Sequence, residues 1–196
     1  MKRRKSGKPD LRVKPGHDEL EHAPGRRIPR PDGACAKSGL RSRRMILALR
    51  ILYFEDLSVG MTETLSKTIA SSDVVGFAQL TGDRNPIHLS EHFAAKTQFG
   101  KRIAHGLYTA SLISAVLGTR LPGPGAVYIS QTLNFRAPVK IGDQVDVTVT
   151  VAELIPDRQR ARLACSCKVG EEIVLDGEAW VKVPSAAKSK RPLPRV

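Results

Sequence analysis

The stretch GLYTASLISAVLG, Gly106–Gly118, is apolar nearly all the way round. A helix with no polar face is buried on all sides. The chain must therefore supply a surface that wraps it. From Ala126 the periodicity drops to two, and Val127, Ile129, Gln131, Leu133 and Phe135 fall on one face. After Pro138 and an Ile141-Gly142-Asp143 turn, Val145, Val147, Val149 and Val151 share a face, with Asp146, Thr148 and Thr150 opposite. Beyond Pro156-Asp157 the pattern repeats in Ala161, Leu163, Cys165, Cys167 and Val169, and after Gly170 the segment Ile173–Val183 reads as a last strand. Four consecutive alternating strands with short connections predict an antiparallel sheet with one wet face. A curved antiparallel sheet around a central helix, an α+β fold, buries both apolar surfaces. One side of the helix and one sheet edge stay open, which argues for a dimer.

Upstream of the helix, Met61–Ala70 is Thr-rich, roughly alternating, and reads as a strand. Ser71, Ser72 and Asp73 offer an N-cap for a short helix, Ser72–Thr81, that Gly82 stops. Ser90 caps a second short helix, Glu91–Lys96, which leaves His92 facing solvent.

The net charge is +13, from 32 Lys+Arg against 19 Asp+Glu. It is unevenly placed. Residues 1–50 hold 15 basic against 5 acidic side chains, residues 51–183 hold 13 against 14, and residues 184–196 hold 4 against none. The chain thus divides into a disordered basic N-terminal tail (1–50), a near-neutral folded domain (51–183) and a basic C-terminal tail (184–196). A groove that reads nucleic acid needs its basic stripe on the folded face, so no nucleic-acid partner is expected. Residues 1–44 lack apolar periodicity and alternate breakers with charge, as in PGRRIPRPDG (Pro24–Gly33). This segment reads as a basic arm, as a targeting peptide, or as sequence upstream of a start at Met45. Asp18, Glu19 and Glu21 weigh against a mitochondrial presequence. No run of about 18 apolar residues predicts a membrane span. Cys35, Cys165 and Cys167 form no metal-ligand pattern, and small buried thiols fit a reducing cytoplasm.

The chemistry lies in Phe77–Ala94, FAQLTGDRNPIHLSEHFA. Gly82 lets the backbone turn sharply, and Pro86 stiffens the chain and biases Asn85 to an extended conformation. Asp83 and His88 are five residues apart, a spacing that a helix cannot bring together but a locked turn can. Asn85 can hold that turn through local backbone bonds. A carboxylate and an imidazole on either side of one water make a general-base arrangement. Farther on, Ile103-Ala104-His105-Gly106 leads straight into the apolar helix. A glycine at a helix start has a free N–H and adds the positive end of the helix dipole, a suitable oxyanion site. His105 reads as bonding a loop backbone, and Asp143 as a hairpin residue. Arg84, Lys101 and Arg102 are candidates to meet phosphates. A water-activating pair beside an oxyanion site fits addition or removal of water next to a carbonyl.

Leu80–His88 (LTGDRNPIH), five residues and Ala94 resemble the hydratase-2 motif of the MaoC-like (R)-specific enoyl-CoA hydratases. Ala104-His105-Gly106-Leu107 resembles their second block. The resemblance covers roughly residues 53–183. It implies a hot-dog fold, a homodimer, and syn hydration of a trans-2-enoyl-CoA to the (R)-3-hydroxyacyl-CoA. It further implies that His88 is the principal base and that Asp83 binds the water and supplies the proton at C2. Gly106 would donate its N–H to the thioester oxygen, Ser114 would line the acyl pocket, and Asn85 would belong to the same oxyanion and substrate-binding set. No cofactor and no metal are implied, with CoA entering as part of the substrate. Dehydration of 3-hydroxyacyl-[acyl-carrier-protein] substrates is the alternative chemistry. A thioesterase of the same fold would lack the Asp-x-Asn-Pro-x-His turn. A non-catalytic acyl-CoA-binding homologue is the alternative of another class, and intact Asp83 and His88 speak against it.

Overall fold

The computed structural model describes residue 49 and residues 51–187. The expectations for the N-terminal tail, for Met45 and for residues 188–196 lie outside them. The elements run β1 (Thr62–Thr68), α1 (Ser71–Thr81), α2 (Pro86–Leu89), α3 (Glu91–Ala94), α4 (Gly106–Thr119), β2 (Val127–Gln131), β3 (Asn134–Phe135), β4 (Gln144–Ile155), β5 (Arg160–Val169) and β6 (Glu172–Lys182), with single 3-10 turns at Phe54–Asp56 and Pro156–Arg158. The strands form one antiparallel sheet in the order β1-β4-β5-β6-β2, with β3 also on β6.

The dry face of the sheet is the one the alternation predicts. Val145, Val147, Val149 and Val151 of β4 are fully buried, as are Ala161, Leu163 and Cys167 of β5. Each buried valine stabilises the fold by about 1.5–3 kcal/mol. On the opposite face, β1 and β4 exchange hydroxyl hydrogen bonds, Thr62 with Thr150 at 2.9 Å and Thr64 with Thr148 at 3.0 Å. Such pairs are worth only about 0.2–1 kcal/mol, so the valine face sets the register. Cys165 and Cys167 are free and buried, and burial pushes their thiols up to about 11 and about 12.

Helix α4 lies on β4 and β1. It buries Thr109, Leu112, Ile113, Val116 and Leu117. Burial on all sides is not what the structure shows: Leu107, Ser111, Ser114 and Gly118 form an exposed stripe. One sheet covers one side of a helix, and the stripe that remains is mostly small residues. The face expected from Val127 to Phe135 is corrected as well. Val127, Tyr128, Ile129 and Phe135 are exposed, and a bulge between Tyr128 and Ser130 breaks the alternation. Among the described residues β2 is an edge strand with no neighbour on its outer side.

Local ends differ in detail. α1 begins at Ser71, and its first turn is closed by Asp73, whose Oδ2 accepts the Ala70 N–H at 2.9 Å, rather than by a serine. Gly82 ends it with φ of 79°, its N–H on the Ala78 carbonyl at 3.0 Å. The packed chain runs past Val183. The Phe54 N–H reaches the Pro184 carbonyl at 2.8 Å, and the Ser185 hydroxyl and the Ala186 N–H both bond the Glu55 carboxylate.

Gly177 carries a constraint that alternation does not reveal. A Cβ built there lies 1.9 Å from the Thr132 carbonyl oxygen, where the chain between β2 and β3 crosses β6. Thr132 is pinned by its N–H on the Glu178 carbonyl at 2.9 Å and by its hydroxyl, which accepts the Glu178 N–H at 3.0 Å. Gly177→Ala must move that backbone, which costs about 1–3 kcal/mol or more. A thermal melt should show Tm lowered by at least about 2 °C; an unchanged Tm would refute this account of the crossing.

Candidate active site

The turn after α1 is built as its residues dictate. Asp83 Oδ1 accepts the Asn85 N–H at 3.2 Å, and Asn85 Oδ1 accepts the Ile87 N–H at 3.2 Å. Asn85 is extended (φ −54°, ψ 126°) and caps α2, with Pro86 at its first position. Pro86 therefore opens a helical turn rather than only stiffening a loop, and His88 rides on that turn. Its Nδ1 lies 2.9 Å from the Ile103 carbonyl oxygen. A carbonyl only accepts, so Nδ1 carries the hydrogen and Nε2 of the neutral ring is bare.

The segment before α4 is held just as firmly. Ile103 bridges Lys140, and the Ala104 N–H donates to the Val139 carbonyl at 2.7 Å. His105 is 2% exposed, with Nε2 3.0 Å from the Asp83 carbonyl oxygen. The backbone-bonding role expected for it is what the geometry gives. The rings of His88 and His105 stack with centroids 3.8 Å apart, and Phe77 lies 5.0 Å from His105. Gly106 begins α4, and among the described residues none accepts its N–H.

These groups share a pocket of about 350 Å³. Thr81, Asp83, His88, His105 and Gly106 form its polar part, and Phe77, Leu107 and Phe135 its apolar walls. Asp83, His88 and His105 each place a potential ligand atom within 4.8 Å of the others. A water bridging two acceptors at about 2.8 Å each, near the tetrahedral angle, spans about 4.5 Å. His88 is 7% exposed. Its pKa lies below the ordinary value, chiefly because burial disfavours the imidazolium, with His105 adding to this; the Ile103 carbonyl and Asp83 oppose it.

A family model of the MaoC-like domain matches residues 59–171. The 3-hydroxybutyryl-CoA dehydratase of Methylorubrum extorquens is 80% identical over 140 residues, 71% of this chain and 89% of that protein. The chain belongs to the MaoC-like family. The (R)-specific enoyl-CoA hydratase of Rhodospirillum rubrum is 51% identical over 68% of this chain and 92% of its own length. The solved structure of the (R)-hydratase from Aeromonas caviae involved in PHA biosynthesis superposes with a TM-score of 0.65 at 42% identity, covering 66% of this chain and 99% of that one. The helix and sheet described above are thus the hot-dog fold of MaoC-like hydratases and dehydratases.

Within this MaoC-like chain, Asp83, His88 and Gly106 line one pocket, whereas Asn85, expected among the substrate-binding residues, caps α2 and is not among the residues that line it. Ser114 does not join them. It is exposed on α4, eight residues and about 12 Å along the helix from Gly106, away from the pocket walls. Of the phosphate candidates, Arg102 is engaged by Glu91 at 2.8 Å and Ser71 at 2.9 Å, while Arg84 and Lys101 are exposed. His92 is exposed, and Asp143 closes its turn by accepting the Lys140 N–H at 2.7 Å. Sequence reasoning missed the Ile103 carbonyl, a backbone group with no side-chain signal. It also missed Phe135, which leaves its strand face to lie against Gly106; a Cβ on Gly106 would meet that ring at 2.8 Å.

The lowered pKa of His88 has a signed consequence. The unfolded chain binds a proton at about 6.5 and the folded chain only at lower pH. Stability is therefore full above 6.5 and falls as pH drops through the folded value. The acidic limb of kcat/KM should lie below 6.5, with thermal stability declining over the same range. A limb above 6.5 would contradict the burial of His88 as the controlling influence.

Proposed function

We propose that this hydro-lyase interconverts a short trans-2-enoyl-CoA and the (R)-3-hydroxyacyl-CoA by syn addition or loss of water, with the four-carbon acyl group as its preferred substrate. One observation carries the reading: a bare imidazole nitrogen and a carboxylate, close enough to share one water, sit in the same pocket as the free first amide of α4. The 80% identity to a 3-hydroxybutyryl-CoA dehydratase supports the four-carbon choice.

The thioester oxygen takes the Gly106 N–H at the positive end of a 14-residue helix. Charge that develops there as the enolate forms is stabilised by a donor already in place. Water between Asp83 and His88 loses a proton to Nε2 of His88 as its oxygen bonds C3 of the enoyl group. That proton then passes from His88 by way of the Asp83 carboxylate to C2 on the same face, which returns His88 to the neutral ring and Asp83 to the carboxylate. Water adds across one double bond, so the reaction balances with no cofactor or metal. Asn85 keeps the turn, and Phe77, Leu107 and Phe135 keep the reacting carbons dry.

The enzyme works as a homodimer in the cytoplasm. Exposed Val127, Tyr128 and Ile129 on the β2 edge, and the uncovered stripe of α4, support a second copy there. Among the described residues no helix is long and apolar enough to cross a membrane.

Crotonyl-CoA absorbance should fall on addition of the protein, yielding (R)-3-hydroxybutyryl-CoA by chiral chromatography. Asp83→Asn and His88→Ala should each lower kcat about 10²–10⁴-fold with little change in Tm. Full activity in either variant would remove that residue from the chemistry. A panel of longer enoyl-CoAs and one acyl-carrier-protein substrate tests the acyl group and its carrier. Faster turnover of the carrier-protein substrate would overturn the CoA assignment.

A further inference from the structure

His105 is the residue that the reaction as written leaves unused, yet it bonds the Asp83 backbone, stacks on His88 and precedes Gly106. Its Nε2 is 3.0 Å from the Asp83 carbonyl oxygen, so the ring donates there. Its face lies on the His88 ring, with centroids 3.8 Å apart and planes 31° from parallel. It is the residue before Gly106, and its carbonyl accepts the Tyr108 and Thr109 N–H groups in the first turn of α4. Carboxylate, base and oxyanion donor thus come from three segments that converge on one imidazole.

The ring is not there as packing alone. Its Nδ1 is buried and has no hydrogen-bond partner among the described residues. Buried polar atoms are nearly always paired, and an unpaired one needs a reason. An apolar side chain would fill this space without stranding a nitrogen. What the imidazole supplies, and an apolar group cannot, is the N–H on Asp83. That bond matters because it holds the Asp83 backbone, from which the carboxylate projects: among the bonds described, the carboxylate itself is held only at Oδ1, by the Asn85 N–H of its own turn. Asp83 is exposed, so solvent competes for any looser arrangement.

We propose that His105 is a positioning residue, whose Nε2–H on the Asp83 carbonyl fixes the distance between the Asp83 carboxylate and the His88 base. The inference rests on the hydro-lyase reading of the same pocket. It commits to the hydrogen bond, not to the aromatic stack, as the part that sets the rate. Misplacement of a reacting group by about 1 Å costs about 10²-fold. Substrate binding to the pocket walls and to Gly106 does not depend on that bond, so the loss falls on kcat.

Two substitutions separate donor from ring. His105→Phe keeps a ring against His88 and removes the donor; His105→Gln removes the ring and keeps an N–H able to reach the carbonyl. With crotonyl-CoA, the Phe variant should show kcat lowered about 10²-fold and KM within about three-fold, and the Gln variant should regain at least about ten-fold of that loss. Should Phe prove too large and lower Tm sharply, His105→Leu serves the same comparison. Wild-type kcat in the Phe or Leu variant would overturn the proposal. So would a Gln variant as slow as the apolar one, since that pattern belongs to the stack. A readout independent of turnover keeps this inference distinct from the reaction assignment. The backbone amide resonances of Asp83, Arg84 and Asn85 should shift in the apolar variant and return toward wild type with Gln, whether or not crotonyl-CoA is the substrate. Resonances unmoved in the apolar variant would defeat the inference even if the protein hydrates crotonyl-CoA.

Discussion

The hydrogen bond from His88 Nδ1 to the Ile103 carbonyl, at 2.9 Å, is the contact on which the site depends. It fixes which imidazole nitrogen is bare. A rotated ring or the other tautomer would aim a hydrogen at the pocket, and no base would remain there. The acceptor is itself immobile, because Ile103 bridges Lys140 and Ala104 bonds Val139 next to the sheet. The sheet thus defines the chemistry through a backbone atom. Its own anchor is the row of fully buried valines on β4, where a one-residue slip would put every valine on the wet face.

Burial of His88 works in two directions. It disfavours the imidazolium and so keeps Nε2 unprotonated near neutral pH. In the proposed reaction it would also make the imidazolium formed during proton transfer more costly. The Asp83 carboxylate and the Ile103 carbonyl act against that cost, since both favour the charged ring. A base placed deeper and without them would be bare but unable to accept a proton. A base placed in water would be protonated through much of the acidic range. The pocket sits between these limits because one edge of the ring faces backbone and carboxylate while its face lies on His105.

Much of this was legible in the residues. The alternation of Val145, Val147, Val149 and Val151 exposes itself in one line of sequence, and the sheet follows from it. The Gly82 stop, the Asn85-Pro86 corner and the Gly106 helix start are local rules of backbone chemistry, and the structure obeys each. What was hidden is non-local. That α4 is covered on one side only depends on how far the sheet curves, which no helical wheel reports. The exposed run from Val127 to Phe135 looked like a core strand because an edge strand awaiting a neighbour has the same alternation as one that already has it. The Ile103 carbonyl, the crossing of Thr132 over Gly177 and the seat of Phe135 on Gly106 arise from contacts between segments far apart in the chain. Ser114 shows the limit of helical spacing: its distance from Gly106 along α4 was countable, and the direction it faces was not.

The open surface has a physical logic of its own. Phe135 and Leu107 are 54% and 61% exposed, yet they form walls of the pocket, and Val127 on the neighbouring edge is 60% exposed. Apolar groups left in water along the wall of a pocket are incompletely covered within a single chain. An acyl chain that covers them would be only part of the answer, because among the described residues β2 has no strand along its outer side, and such edges pair readily. A second copy laid along β2 would pair with that edge and bury the small-residue stripe of α4 as well. It would bring its surface toward the mouth where Phe135 and Leu107 stand. In that arrangement the dry pocket and the closed sheet edge would be one event. Water-activating chemistry would then be tied to assembly: the carboxylate, the base and the amide donor belong to one chain, and the dryness that makes them effective would come from two.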